Sequence, residues 1–238
     1  MKINWNYIKV ILSFVVVLCL FSFSAHRNEQ RKLAKVNVHF TNGNKLFITQ
    51  QTVNNLLIQN QDSVTSIAKE KLVLNRLEHT LRLNEMIEDA QVYLSVDGQL
   101  SANIRQRTPI ARVWAGTSYY IDTEGSPMPM SSVHSARVPL IVGDVNKKDL
   151  ASTYKVANYI YNDEFLKTNV IGIRQNQGQF QLKLRTNDFT VDLGYAKNLH
   201  KKFSNFMAFY KKAQKDNSLN DYSRVALEFN NQVVCTKK

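Results

Sequence analysis

Residues 90–114 read AQVYLSVDGQLSANIRQRTPIARVW, and the register of that stretch decides the fold. Apolar residues alternate through Ala90, Val92, Leu94 and Val96, then through Leu100, Ala102 and Ile104, about Asp97-Gly98. Two such runs about a glycine predict an antiparallel hairpin. A two-residue loop at Asp97-Gly98 sets Leu94 opposite Ser101 and mixes apolar with polar side chains on each face. A three-residue loop, Val96-Asp97-Gly98, instead pairs Leu94 with Leu100, Val92 with Ala102 and Ala90 with Ile104. That register makes one face wholly apolar and puts Gly98 where a left-handed backbone is needed. The other face shows Gln91, Tyr93, Asn103 and Arg105 to solvent, and Pro109 ends the ribbon.

The segment before the ribbon supplies what covers its apolar face. Val36–Phe40 alternates and ends in the turn cluster Thr41-Asn42-Gly43-Asn44, which predicts a strand. In ITQQTVNNLLI, Val53, Leu56 and Leu57 share a helical face behind a Thr49 cap. In NRLEHTLRLNEMI, Asn75 and Glu78 have the spacing of a capping box, with Leu74, Leu77 and Leu81 along one stripe. Strand, helix, helix and ribbon thus form one small layered unit over residues 36–107.

Residues 108–238 read as a second unit. TSYYIDTEGSPMPM predicts a short strand and a turn at Gly125, and VPLIVG a short buried strand closed by Gly143. A helix is expected over Asp149–Phe165, and strands over Val170–Ile173, Phe180–Leu184 and Phe189–Leu193. Ala196–Lys215 is an amphipathic helix with Leu199, Phe203, Phe206 and Tyr210 on one stripe. A last strand is expected through SRVALEFNNQVVC, alternating at Val225, Leu227 and Phe229 and running on to Val233-Val234.

The chain of 238 residues carries a formal net charge of +12, unevenly placed. Residues 1–35 contribute +5, residues 36–107 are neutral, and residues 108–238 contribute +7. This division does not make the single basic face of a nucleic-acid binder, and it suits an anionic surface or an acidic partner. Residues 10–23, VILSFVVVLCLFSF, are uncharged, and Tyr7 to Ala25 at about 1.5 Å per residue spans about 28 Å, enough for a bilayer core. Trp5 and Tyr7 then sit as interfacial anchors, and Lys9 snorkels outward. A cleaved signal peptide is the other reading, with Ser22-x-Ser24 as a weak cleavage site; no A-x-A pattern is present. The lysines and arginines flanking the span (Lys2 and Lys9 before it, Arg27, Arg31, Lys32 and Lys35 after it) favour by count the opposite orientation to an exported body.

Signs of chemistry are missing from the pattern. His26, His39, His79, His134 and His200 lie in different elements, without the paired spacing of a metal site. No nucleophile elbow, phosphate loop or dinucleotide glycine pattern occurs. Asp122 and Glu124 beside Gly125 read as solvated turn residues, and the lysine pairs Lys201-Lys202 and Lys211-Lys212 as a solvated helix face. Cys19 lies in the apolar run, so pairing with Cys235 is not expected. No enzyme, metal or cofactor is expected; the class indicated is a binding module.

The order of the pieces resembles one family. Asn84, Ile87, Ala90 and Val92 are similar to a helix-end pattern before a ribbon, and Leu100, Ile104, Arg107, Pro109, Ala111 and Trp114 to its second strand and junction. Tyr120-Ile121-Asp122 with Gly125 resembles a Y-x-D-x-x-G hairpin, Pro139–Gly143 an L-P-x-L-x-G strand, and Val225–Phe229 a terminal V-D-L-R-Y strand. Together they resemble the bacterial cell-division family FtsQ/DivIB. Two positions depart from it: Glu228 stands at a usually basic position and Ala226 where Asp is common.

The resemblance implies an α+β chain: a cytoplasmic tail (1–6), a transmembrane helix (7–25), a basic stalk (26–35), a POTRA domain of β-α-α-β-β order (36–107) and a mixed, mainly antiparallel β domain (108–238). It implies an inner-membrane protein with its body in the periplasm at the division septum, linking early and late division proteins. FtsB- and FtsL-like bitopic coiled-coil proteins are the implied partners, bound through an edge strand around Val225, Leu227, Phe229, Asn230, Asn231 and Val233. Tyr93, Asn103 and Arg105 are the implied docking surface of the POTRA face. No nucleic-acid partner is implied. The alternatives are a POTRA-type envelope transport or assembly module and a membrane-anchored envelope enzyme.

Overall fold

The computed structural model describes residues 5–29, 35–41, 43, 47–58, 74–95, 97–147, 149–229 and 232–238. Asn42, Asn44, Val96, Asn230, Asn231 and the stalk residues Arg31 and Lys32 lie outside them, as do the side chains of Trp5, Tyr7 and Arg27. The chain forms two compact units, Met1–Gln106 and Arg107–Lys238. Its first element is α1 (Trp5–Glu29), which runs past both ends of the expected span and takes in the first residues of the expected stalk. Within it, Lys9–His26, of mean hydropathy 2.0, is long and apolar enough to cross a membrane.

The first unit continues with β1 (Lys35–Phe40), α2 (Gln50–Ile58), α3 (Leu74–Arg82), β2 (Ile87–Leu94) and β3 (Gln99–Gln106). The strands make one sheet in the order β1-β3-β2, with β1 parallel and β2 antiparallel to β3. The ribbon has the three-residue register: Leu94 pairs with Leu100, Val92 with Ala102 and Ala90 with Ile104, and Gly98 is left-handed at φ 86°. Both helices pack on the apolar face, where Val53, Leu57, Leu77 and Leu81 meet Ala90, Val92, Leu100, Ala102 and Ile104. Thr49 caps α2 as expected, its Oγ1 accepting from the Thr52 N–H at 3.0 Å.

Glu78 does not close a capping box, because Asn75 lies inside α3. Its Oε1 accepts instead from the Val92 N–H at 2.8 Å, while Arg82 Nη2 donates to the Ala90 carbonyl at 2.8 Å. One helical turn apart, these two side chains occupy main-chain groups of the outer strand β2, as a neighbouring strand would. Arg82 also binds Asp89 at 3.0 Å and holds its carboxyl below the usual carboxylate range, the hydrogen bond being the main cause.

The second unit is one sheet with helices on a single face. Its elements are β4 (Pro109–Ala115), β5 (Thr117–Asp122), β6 (Pro127–Pro129), β7 (Leu140–Gly143), α4 (Ala151–Asn162), α5 (Glu164–Asn169), β8 (Val170–Asn176), β9 (Gln179–Leu184), β10 (Thr190–Tyr195), α6 (Leu199–Lys215), β11 (Tyr222–Ala226) and β12 (Val234–Lys237). The order is β12-β11-β10-β9-β8-β7-β4-β5-β6, mixed but mainly antiparallel. One register line crosses all nine strands: Cys235, Val225, Val191, Leu182, Ile173, Ile141, Val113, Tyr119 and Pro129. Most of that line is buried against α4, α5 and α6, through Val156, Ile160, Leu166, Phe203, Phe206 and Tyr210. Tyr159 stacks on Phe203 with ring centroids 4.8 Å apart, tying α4 to α6.

Several expectations are corrected here. The helix expected over Asp149–Phe165 is two helices, because Asp163 is extended and its carboxylate accepts from the Leu166 N–H at 2.9 Å, capping α5. The helix expected from Ala196 begins at Leu199, after left-handed Asn198 at φ 54°. Lys202 is not on the solvated face: its ammonium donates to the Leu193 and Tyr195 carbonyls at 2.6 and 2.9 Å, and burial lowers its pKa. Of the strand closed by Gly143 only Ile141 is buried, since among the described residues of this unit the helices all pack on the other sheet face. Pro109–Ala115 forms β4, a strand beyond those expected from the sequence pattern.

Asp122 is not a solvated turn residue. It is 1% exposed, pairs with Arg107 Nη1 at 3.0 Å, and accepts from the Glu124 and Ser126 N–H groups at 3.0 and 2.8 Å. A carboxylate with three donors holds the β5–β6 turn, and Tyr154 closes over it by donating to the Thr123 carbonyl at 2.8 Å. Asp122→Asn should cost the second unit about 2–3 kcal/mol, read as a lowered urea midpoint. Arg82→Ala should destabilise the first unit by about 1 kcal/mol at neutral pH. Because Asp89 has its folded pKa depressed, its contribution is present above the unfolded value near about 4 and is lost as pH falls through the folded one. The difference between wild type and Arg82→Ala should therefore narrow in denaturant titrations below about pH 4.

Candidate functional site

A sheet of nine strands has two edges, and their sequences differ. At one end β6 is Pro127-Met128-Pro129, and two prolines remove two main-chain donors from three residues. At the other end β12, Val-Cys-Thr-Lys, carries no proline and is largely exposed. Among the described residues, the main-chain groups on its outer side face no other strand of the sheet.

The support for β12 is built inward. β10 leads through α6 to β11, which lies parallel to it with Val191 opposite Val225 and Asp192 opposite Ala226. The Leu227 N–H continues that ladder, donating to the Asp192 carbonyl at 2.8 Å. On the sheet face away from the helices Asp192 accepts from Gln181 Nε2 at 2.7 Å and pairs with Arg224, so three strands are tied by side chains as well as by their ladders. β12 then returns antiparallel to β11, with Val225 opposite Cys235 and Ala226 opposite Val234. Ser223 Oγ donates to the Thr236 or Lys237 carbonyl, each at 3.2 Å, and the Lys238 N–H donates to the Asp221 carbonyl at 2.8 Å. Burial pushes the Cys235 thiol pKa up.

The last segment is therefore two strands rather than one. Val225 and Leu227 lie in the core, at 0% and 2% exposure, so their side chains hold the edge up from beneath. Phe229 is half exposed in the connection, and Val233 packs against the rim of the core. Asn230 and Asn231 lie outside the described residues. The outermost strand itself is formed by Val234, Cys235, Thr236 and Lys237; none of the four is among the expected contact residues, and the last two lie beyond the strand expected through Cys235. In the sequence, an Asn-Asn pair, of a residue type common in turns, interrupts the alternation and is the signal for a break in the strand.

On the first unit Tyr93, Asn103 and Arg105 share the sheet face away from α2 and α3. Tyr93 is half exposed, Asn103 lies opposite Gln91, and Arg105 pairs with Glu88 at 3.3 Å. The Glu78–Arg82 clamp covers part of the β2 edge, while β1 is the other edge of this sheet.

Comparison with known families agrees with this division. A family model described as FtsQ/DivIB, C-terminal related, matches residues 108–236, and one described as a POTRA-like domain matches residues 33–105. A search of curated proteins found no match to the chain. With more than half its length under the first of these models, and a POTRA-like unit before it, the chain belongs to the FtsQ/DivIB family of cell-division proteins.

Proposed function

We propose that this protein is a membrane-anchored division scaffold that works by binding, and that β12 is its main docking element. A strand from a small bitopic coiled-coil protein of the FtsB or FtsL type adds to the outer side of β12. Main-chain hydrogen bonds supply affinity and the flanking side chains set the register. The single observation that carries this reading is the contrast between the sheet's edges: β6 is blunted by Pro127 and Pro129, and β12 is open.

In this scheme Phe229 and Val233 flank the edge, Asn230 and Asn231 contribute partner contacts, and Val225 and Leu227 act by packing under it. The unit over residues 36–107 is the POTRA domain, and its Tyr93, Asn103 and Arg105 face contributes to recruitment. The unit over 108–238 is the partner-binding β domain. α1 holds both at the inner membrane of the septum, with the N-terminus in the cytoplasm and the body in the periplasm.

Proline scanning of β12 tests the reading, because alternate residues of a strand point their N–H groups to opposite sides. Val234→Pro, Cys235→Pro and Thr236→Pro are compared for partner co-purification and for unfolding midpoint. At positions whose N–H points away from β11, binding should be lost with the midpoint unchanged. Undiminished co-purification at every position, with the protein folded, would sink the edge-strand mechanism.

A further inference from the structure

The sheet face without helices carries a second surface, remote in register from β12. On β4, β7, β8 and β9, one register line runs Trp114, Val142, Arg174 and Gln181. The next line on the same face runs Arg112, Leu140, Gly172 and Lys183. Trp114, near the end of a strand with neighbours on both sides, is 60% exposed and Leu140 37%, the former high for an indole. Gly172 leaves a gap between Leu140 and Lys183, part of a groove of about 770 Å³ that includes Val142 and Arg174 and runs away from Trp114 and Arg112 to Arg185 and Asp188.

The charge on this block has one sign. Arg112, Arg174 and Lys183 lie among its eight residues, with no acid. Among the described residues none of the three pairs with a carboxylate. Arg112 is partly buried, and its Nε has no hydrogen-bond partner. Further along the same face Asp192 is already taken by Arg224 and Gln181. An exposed tryptophan beside an arginine with an unmet donor is the composition of an interface hot spot.

We propose that this face docks an acidic amphipathic helix of a partner protein. Its apolar residues would lie on Trp114, Val142 and Leu140, and its carboxylates would meet Arg112, Arg174 and Lys183. A strand is not the fitting occupant, because each of these four strands is flanked on both sides in the sheet. Recognition must then come through side chains. From β4 to β9 is three interstrand steps of about 4.8 Å, so under three turns of helix cross the block. The surface is independent of β12 and can serve a different partner or a second segment of the same one.

The test is photo-crosslinking in cells of the full chain, with benzoylphenylalanine in place of Trp114, and separately in place of Val234 on β12. The crosslinked segment is identified by mass spectrometry. The expected result is a discrete adduct at position 114 on a segment whose acids and apolar residues alternate at helical spacing. Its yield should fall about tenfold in Arg174→Glu with Lys183→Glu, both exposed side chains, with the circular dichroism spectrum unchanged. Arg112→Gln should lower it as well. No adduct at 114, an adduct on lipid or nucleic acid, a segment lacking acids, or a yield indifferent to the charge reversal would each overturn the proposal. The β12 probe reads separately, so loss at 114 with an adduct at 234 removes this surface and leaves the edge-strand reading in place.

Discussion

The second unit depends on one constraint of register. A residue from each of nine strands falls on a single line beneath three helices, and strand pairing permits no one-residue slip without turning a whole strand inside out. Val225, Val191, Leu182, Ile173, Ile141 and Val113 form the middle of that line, and five of the six are β-branched. Such side chains fit a pleated surface and lose little freedom there. Everything on the other face, including Arg224, Asp192, Arg174 and Trp114, takes its place from that buried line.

The edges of both sheets show how the protein limits pairing to chosen places. In the first unit a glutamate and an arginine on α3 reach the outer strand and occupy its main chain with charge-assisted hydrogen bonds. In the second, β6 loses donors to proline. These are two chemically different answers to the exposed-edge problem. Against them the bare edge of β12 stands out as a position left open.

Much of this was legible in the sequence wherever one periodicity acted alone. The ribbon register followed from alternation, since only the three-residue loop gave an apolar face, and the α6 stripe followed from its 3.6-residue spacing. What was not legible came from side chains acting across the fold. Glu78 has the spacing of a cap but binds β2, and Asp122 sits in a turn yet is buried by Arg107. The break at Asp163 pitted a good cap against a continuing helix, and periodicity does not rank the two. For the terminal segment, alternation predicted one strand where the structure has two. It drew attention to Val225 and Leu227, whose very regularity reflects burial, and away from the short polar strand beyond them.

In the proposed function, the position of β12 also ties recognition to folding. Among the described residues it pairs only with β11, which in turn reaches β10 through the whole length of α6. A strand at the margin of a sheet frays more readily than one with neighbours on both sides. A strand added there would make β12 an interior strand, and by linkage the complex would gain in resistance to unfolding what it gains in affinity. Substitutions deep in the α6 packing, far from any partner, would then be felt as weakened assembly before they are felt as lost protein.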